Sequence, residues 1–418
     1  MGIRFLYITG FKADDGDFIM DVSRKINFRP EEELILCCAR TDLRSDIEFK
    51  ILSLLKKDLD WHYILDEAFY NKMTPLLYLN LNKYPDMVPG IVFSDLENKF
   101  SEVSRRNFIL AGKLFEILDL LNSNGILAIP YKGLVLALLA YGDLALRFFG
   151  DLDVLVKKED IVNAKELLNS NGFYSCYELD YSQMKLLFRF QHEYKFFQNN
   201  PTLMLELHWD FNVNRLHNDM IYDSNYITQV KGDGFCFSTF APEELVLILS
   251  LHASGHLWDS LGWICDIAQI IDTYKELNWD RILDKAIKSS VNRILGVSLL
   301  LAKELIGVDL PDDVYQKFAE DKKVQSISYR MQKNLFNKDS INFYWSAWDR
   351  IGLRESFINE MRDYLSIFFN PRPAQLATIP NSLYPLYYVN SIYLALKYIK
   401  KTGILKILIK LNKTYLLK

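Results

Sequence analysis

Asp151-Leu152-Asp153 is the segment whose residue types and spacing point most directly to chemistry. It opens an apolar run, Val154-Leu155-Val156, that fits a buried strand. Residues two apart in a strand project from the same face, so the two carboxylates stand side by side. Adjacent anions repel, and the arrangement is costly unless a cation holds them. A hard divalent ion such as Mg²⁺ takes carboxylate oxygens together with substrate phosphates. A third carboxylate on a neighbouring strand completes a two-metal site, which steadies the attacking and leaving oxygens of a phosphoryl or nucleotidyl displacement. Glu206, between Leu205 and Leu207 in the strand-like run Leu203–Trp209, is the best candidate for that ligand. The competing explanation for an isolated Asp-x-Asp is a strand end that binds nothing. Gly150 before it, the apolar run after it and a second strand carrying Glu206 weigh against that.

These residues need elements to position them. Pro30 to about Leu121 is mostly helical, with Pro30-Glu31-Glu32-Glu33 at a helix start where the macrodipole favours acids. Phe108–Leu121 repeats apolar residues at helical spacing and stops at Asn124-Gly125, a C-cap sequence. The period then shifts. Ile126–Tyr131 reads as a short buried strand, and Lys132-Gly133 leads into a helix-like segment, Leu134–Tyr141. Asp151–Val156 is a second strand, and Glu159–Leu168 an amphipathic helix closed by Asn171-Gly172. Phe173–Tyr177 is a candidate third strand. Tyr194–Gln198 and Leu203–Trp209 are two more, joined by Asn199-Asn200-Pro201. From Pro242-Glu243-Glu244 onward the chain returns to helix: Leu245–Leu257, Leu261–Tyr274, Trp279–Ser289 and Val291–Leu305. The expected fold class is α+β, a mixed-sheet core flanked by helical N-terminal and C-terminal regions. The expected divisions are a helical region over 1–120, a catalytic core over 121–240, a helical domain over 241–370 and a basic, aromatic-rich helical tail over 371–418.

The run Tyr131-Lys132-Gly133, the apolar Leu134–Tyr141, Gly142-Asp143-Leu144-Ala145-Leu146-Arg147 and Phe148-Phe149-Gly150-Asp151-Leu152-Asp153-Val154-Leu155-Val156 has a familiar order. So do Leu205-Glu206-Leu207-His208-Trp209, and Glu244-Leu245 through Leu251-His252-Ala253 to Trp263 and Asp266. Together they resemble the signature of a bacterial family usually labelled uncharacterised nucleotidyltransferase, within the DNA polymerase β-like nucleotidyltransferase superfamily. The resemblance covers most of residues 50–400. It implies a small mixed sheet packed on helices, with metal carboxylates on adjacent strands. By the motif match, Asp151 and Asp153 would bind Mg²⁺, with Glu206 as the third carboxylate. Gly133 would sit in the turn where nucleotide phosphates approach the backbone. The sequence departs from the common pattern in two ways: Lys-Gly stands where Gly-Ser or Gly-Gly is usual, and 17 residues separate Gly133 from Asp151.

The cations near this run have two readings each. Lys132 could be a point charge on a triphosphate and Arg147 a planar bidentate clamp, or both could pair with the carboxylates. His208, two residues from Glu206, could line the same face toward the cofactor or be an ordinary hydrogen-bonded histidine. His192-Glu193 could line the cleft. Asp266 could cap the site from the helical region or form a structural pair. His252 and His256 share one helical face, but no third zinc ligand is evident.

Composition sets the remaining bounds. The 418 residues carry a net charge of −4, no sign of a nucleic-acid binder. That average hides a division. Residues 364–418 hold eight basic and no acidic residues, which leaves −12 on the rest. Lysines interspersed with Ile404–Leu411 suggest either weak contact of residues 397–418 with an anionic membrane surface or an apolar face packed on the protein. Five scattered cysteines without a CxxC pair indicate neither a disulfide framework nor a cysteine zinc site. The start is too short in apolar residues for a signal peptide, and no run of 18 apolar residues occurs. The expectation is a cytoplasmic, Mg²⁺-dependent enzyme that takes a nucleoside triphosphate and an unidentified acceptor (small molecule, peptide, protein or RNA). The alternative is a non-catalytic binding or scaffold protein of the same fold, recruited to a membrane by its tail.

Overall fold

The computed structural model describes residues 26–175, 177–199, 202–211, 226–232 and 235–337, with 353 and 355. The basic tail, and with it the expected membrane contact, lies outside the described residues. Five helices come first: α1 (Pro30–Cys38), α2 (Ser45–Leu54), α3 (Trp61–Tyr70), α4 (Thr74–Leu81) and α5 (Gly90–Ser123). Local signals explain their starts. Pro30 and three glutamates occupy the first turn of α1, and the Asp60 carboxylate accepts from the Tyr63 N–H at the head of α3. Helix α5 runs 34 residues, about 50 Å. It ends where Gly125 takes φ +77°, with the Ile126 N–H donating back to the Leu121 carbonyl.

The sheet has the order β1-β2-β4-β3. Strand β1 (Ile129–Pro130) is antiparallel to β2 (Leu152–Leu155), and β2 is parallel to β4 (Thr202–His208). Strand β3 (Glu193–Asn199) forms a hairpin with β4. A separate hairpin, β5 (Ile227–Gly232) with β6 (Phe235–Phe240), is tied to β1 by the Thr239 hydroxyl, which donates to the Pro130 carbonyl at 2.6 Å. Between strands lie α6 (Gly133–Leu139), α7 (Ile161–Ser170) and α8 (Tyr181–Phe190). The rest is helical: α9 (Pro242–Gly255), α10 (Leu261–Thr273), α11 (Trp279–Lys288), α12 (Asn292–Leu301), α13 (Asp312–Ala319) and α14 (Lys322–Asn334). The mixed sheet among helices makes the fold α+β.

Two apolar cores form, and they do not follow chain order. Helices from both ends of the described chain share the first: Leu34, Ile64 and Leu77 pack in one cluster with Leu245, Ile264 and Leu299. The Arg40 guanidinium donates to the Ile306 carbonyl at 2.7 Å across that join. The second core lies under the sheet. Leu152 and Val154, Leu205 and Leu207, and Tyr194 and Phe196 face it, packed on Leu114, Leu118 and Leu121 of α5. Helix α5 thus serves both cores, Leu96 in the first and Leu110–Leu121 in the second. Leu155, on the opposite face of β2, packs into the first core. The sheet is therefore a wall between the two cores, and its alternate residues face the helical side.

Two sequence expectations differ from this picture. Phe173–Tyr177 contributes one bridge, Tyr174 to Phe197, in place of a full strand. Residues 181–190, given no element from sequence, form α8 behind a reciprocal cap between Asp180 and Gln183. Among the described residues, no helix is long and apolar enough to cross a membrane.

Candidate active site

Parallel pairing of β2 with β4 sets Asp153 abreast of Glu206 and Leu155 abreast of His208. The β3–β4 hairpin then sets Lys195 opposite Glu206 and Glu193 opposite His208. Strand alternation turns all five polar residues away from the second core. Asp153 is 5% exposed, Glu206 8% and His208 3%, so each charge needs a partner. Lys132, at the head of α6 just after β1, donates to Asp153 Oδ1 at 2.5 Å. His208 Nε2 lies 3.0 Å from the same oxygen and 3.5 Å from Glu206 Oε2. Lys195 bridges Glu206 and Glu193, the latter at 3.2 Å.

This network divides the titrations. Burial opposes charge on Asp153, but the Lys132 ammonium and His208 outweigh it and hold the carboxyl well below the usual range. Glu206 is likewise buried, and its bonds to His208 and Lys195 lower it. Burial disfavours the His208 imidazolium, yet Asp153 and Glu206 raise it to about 9. Asp151 goes the other way. Burial raises it first, then repulsion from Asp153 and Glu206. It makes no hydrogen bond or ion pair with another described residue.

The expected carboxylate set is therefore brought to one place with one difference. Asp153, Glu206 and His208 offer ligand atoms within 4.8 Å of one another, whereas Asp151 lies outside that group. Asp151 still feels both carboxylates, and the more distant Lys132 and Arg147 charges only partly offset them. Carboxylate oxygens from Asp151, Asp153 and Glu206 fit a hard divalent cation, and the unpaired Asp151 gains most from one.

Arg147 is committed to a pair across the site. Its Nε and one terminal nitrogen donate to the two Asp266 oxygens of α10, both at 2.7 Å. The Tyr141 hydroxyl donates to Asp266 at 2.8 Å, and the remaining Arg147 nitrogen reaches the Gly133 carbonyl at 3.4 Å. Asp266 is thus in the structural pair foreseen for it. Arg147 meets a carboxylate of the helical region in place of the Asp-x-Asp pair. Gly133 takes φ +41°, a left-handed conformation that lets the chain turn from β1 into α6.

Beside this pair is a cleft lined by residues of α4, α10 and the segment 146–148. Lys72 sits there with its ammonium 3.4 Å from the Trp263 ring centroid, and its backbone has φ +62°. Burial, then the Arg147 charge, lower its pKa to about 8. The rings of His252 and His256 pack on Trp263, at 4.6 and 5.3 Å between centroids. Lys72 and Lys195 escaped sequence reasoning. A signal for Lys195 existed: a hairpin centred on Asn200-Pro201 places residue 195 across from residue 206. Lys72 lies in a turn between α3 and α4 and carries no such signal.

No curated protein matches the chain. A family model described as uncharacterised nucleotidyltransferase matches residues 57–307. That span is more than half of the chain and includes Lys132, Gly133, Arg147, Asp151, Asp153, Glu206, His208 and Asp266. By that match the chain belongs to the uncharacterised nucleotidyltransferase family.

Proposed function

We propose that the protein is an Mg²⁺-dependent nucleotidyltransferase that moves a nucleoside monophosphate from a nucleoside triphosphate to an acceptor and releases pyrophosphate. The observation that carries this reading is the pairing of Asp153 with Glu206 on adjacent parallel strands, with Asp151 beside them and unpaired. Asp151, Asp153 and Glu206 would hold Mg²⁺, one ion or two. Bound there, the metal would neutralise charge on the triphosphate and polarise the α-phosphoryl group. Lys132, next to Asp153, adds a positive charge to the phosphate side. The turn at Gly133 lets phosphates approach the backbone. Arg147 acts by joining α10 to the core through Asp266, so the helical wall stays in register with the carboxylates. Glu206 positions the acceptor. His208 fixes the orientation of Asp153 and Glu206 on the cofactor side.

An acceptor hydroxyl oxygen bonds to the α-phosphorus as its proton passes to solvent, the bond from that phosphorus to the bridging oxygen breaks, and pyrophosphate leaves. A hydroxyl of a small molecule, peptide or protein is a suitable acceptor. The test uses α-labelled nucleoside triphosphates with Mg²⁺ and candidate acceptors, beside an Asp151→Ala/Asp153→Ala variant. Label transfer by the parent and loss of Mg²⁺-dependent nucleotide binding in the variant are expected. Survival of that binding in the variant would place the site elsewhere.

A further inference from the structure

Next to the carboxylates, three donor atoms converge that nucleotidyl transfer does not use. His192 Nε2 lies 3.6 Å from Glu193 Oε2, and His208 Nδ1 lies 3.8 Å from the same oxygen. His192, Glu193 and His208 each offer one ligand atom within 4.8 Å of the others. Neither measured separation is a hydrogen bond. His208 Nδ1 is buried and has no hydrogen-bond partner, on a side chain only 4% exposed. His192 Nδ1 is also buried and unpartnered, and Nε2 makes no hydrogen bond among the described residues. Its ring lies against that of His208, 6.1 Å between centroids and 29° from parallel.

The far sides of two of these groups are held in place. His208 Nε2 is 3.0 Å from Asp153 Oδ1. His208 Nδ1 is the ring nitrogen on the side of Glu193, and an ion bound there displaces its proton while Nε2 keeps its contact with Asp153. Glu193 uses Oε1 for Lys195, at 3.2 Å, which leaves Oε2 facing the two imidazoles. A ligating histidine ordinarily donates its other N–H to a carboxylate, and a ligating carboxylate is ordinarily hydrogen-bonded from behind. Both supports are present. A tetrahedral ion with bonds of about 2.0–2.2 Å sets its ligand atoms about 3.3–3.5 Å apart. The gaps at Glu193, 3.6 and 3.8 Å, are up to about half an ångström wider, and the two imidazoles, within 4.8 Å, must draw together by side-chain rotation to close the set.

We propose that His192, Glu193 and His208 form a binding site for one first-row transition ion, Zn²⁺ or a close relative, distinct from the Mg²⁺ carboxylates. Two imidazoles and one carboxylate suit zinc, whereas Mg²⁺ prefers oxygen throughout. His192 is 29% exposed and Glu193 22%, so the ion can be reached from solvent and a fourth position stays open for water or a ligand. The ion takes the place of a proton on His208 Nδ1. It keeps that ring a neutral donor to Asp153, which couples occupancy of this site to the neighbouring carboxylates.

The test is metal titration of the full chain after chelator stripping, with Co²⁺ as the visible probe, in excess Mg²⁺. One equivalent of Co²⁺ is expected, with the absorption of a low-coordinate nitrogen site, displaced by Zn²⁺ and indifferent to Mg²⁺. His192→Ala and Glu193→Gln should each weaken binding roughly tenfold or more. Circular dichroism and melting temperature of the stripped variants should match the parent. Asp151→Asn should keep the full equivalent. His192→Cys should restore binding with a new sulfur-to-cobalt charge-transfer band, an outcome that a purely structural role for His192 would not produce. Binding unchanged in His192→Ala, or Co²⁺ displaced by Mg²⁺, would overturn the proposal. Nucleotide has no part in the titration, so failure of the transferase reading would leave its outcome untouched.

Discussion

Asp266→Asn removes one charge from the ion pair that joins α10 to the sheet core and leaves the Arg147 guanidinium buried. Arg147 is 7% exposed and Asp266 3%, and two bonds of 2.7 Å connect them. Truncating one partner of a buried pair costs about 3–5 kcal/mol, because the remaining charge stays desolvated. Asparagine keeps the volume and one acceptor for Arg147 and Tyr141, so a loss of about 3 kcal/mol is expected. Arg147→Met abandons Asp266 with only the Tyr141 hydroxyl and should cost about as much. The double variant Arg147→Met/Asp266→Asn removes both charges, and its loss should be no more than about 3 kcal/mol. The cycle then gives a coupling of several kcal/mol, far outside the additivity of independent sites. Urea unfolding followed by tryptophan fluorescence reads all four proteins, with Trp263 in the same cleft as a local reporter. Single losses below about 1 kcal/mol, or strict additivity, would refute the commitment of Arg147 to Asp266 and free it for a phosphate.

Other outcomes follow from the same network. His208 is raised from 6.5 to about 9, so its stabilisation is complete below pH 6.5 and disappears as pH rises toward 9. Melting temperature should fall across that window, and His208→Gln should flatten the slope; an equal slope in the variant would assign it to another group. Asp153 and Glu206 are lowered, so their contribution holds above their unfolded values and is lost on acidification below about pH 4. An acid melt should begin there, later in pH descent for the parent than for Lys132→Met. Lys72 titrates near 8 over the Trp263 ring, so tryptophan fluorescence should change with a midpoint near that pH and lose the step in Lys72→Met. A midpoint unmoved by the substitution would count against it. Gly133→Ala meets a backbone at φ +41° and should cost about 1–2 kcal/mol in denaturant, whereas no cost would mean the turn relaxes freely.

Local pattern carried much of this fold. Alternation over Leu203–His208 marked Glu206 and His208 as neighbours on one face, and the acid-apolar-acid start marked β2. Neither indicated that β2 and β4 pair in parallel with Asp153 abreast of Glu206, because register depends on how the sheet closes on its core. The cap that starts α8 was present as Asp180-x-x-Gln183, a signature easily passed over when attention is on apolar periodicity. Long-range features left no local trace. Arg147 and Asp266 lie 119 residues apart and meet only because α10 packs beside α6 and the turn after it. Chain order likewise separated the first and last helices, which share one core because neither set alone covers the other's apolar faces.

If Asp151, Asp153 and Glu206 gather a divalent ion and a triphosphate, nucleotide binding must require Mg²⁺. Calorimetric titration with a non-transferable nucleoside triphosphate analogue tests it most directly, run with and without Mg²⁺ on the parent and on Asp153→Asn. One nucleotide site that requires Mg²⁺ is expected in the parent and its loss in the variant, while the variant still unfolds cooperatively. Equal binding to both proteins, or binding indifferent to Mg²⁺, would contradict it.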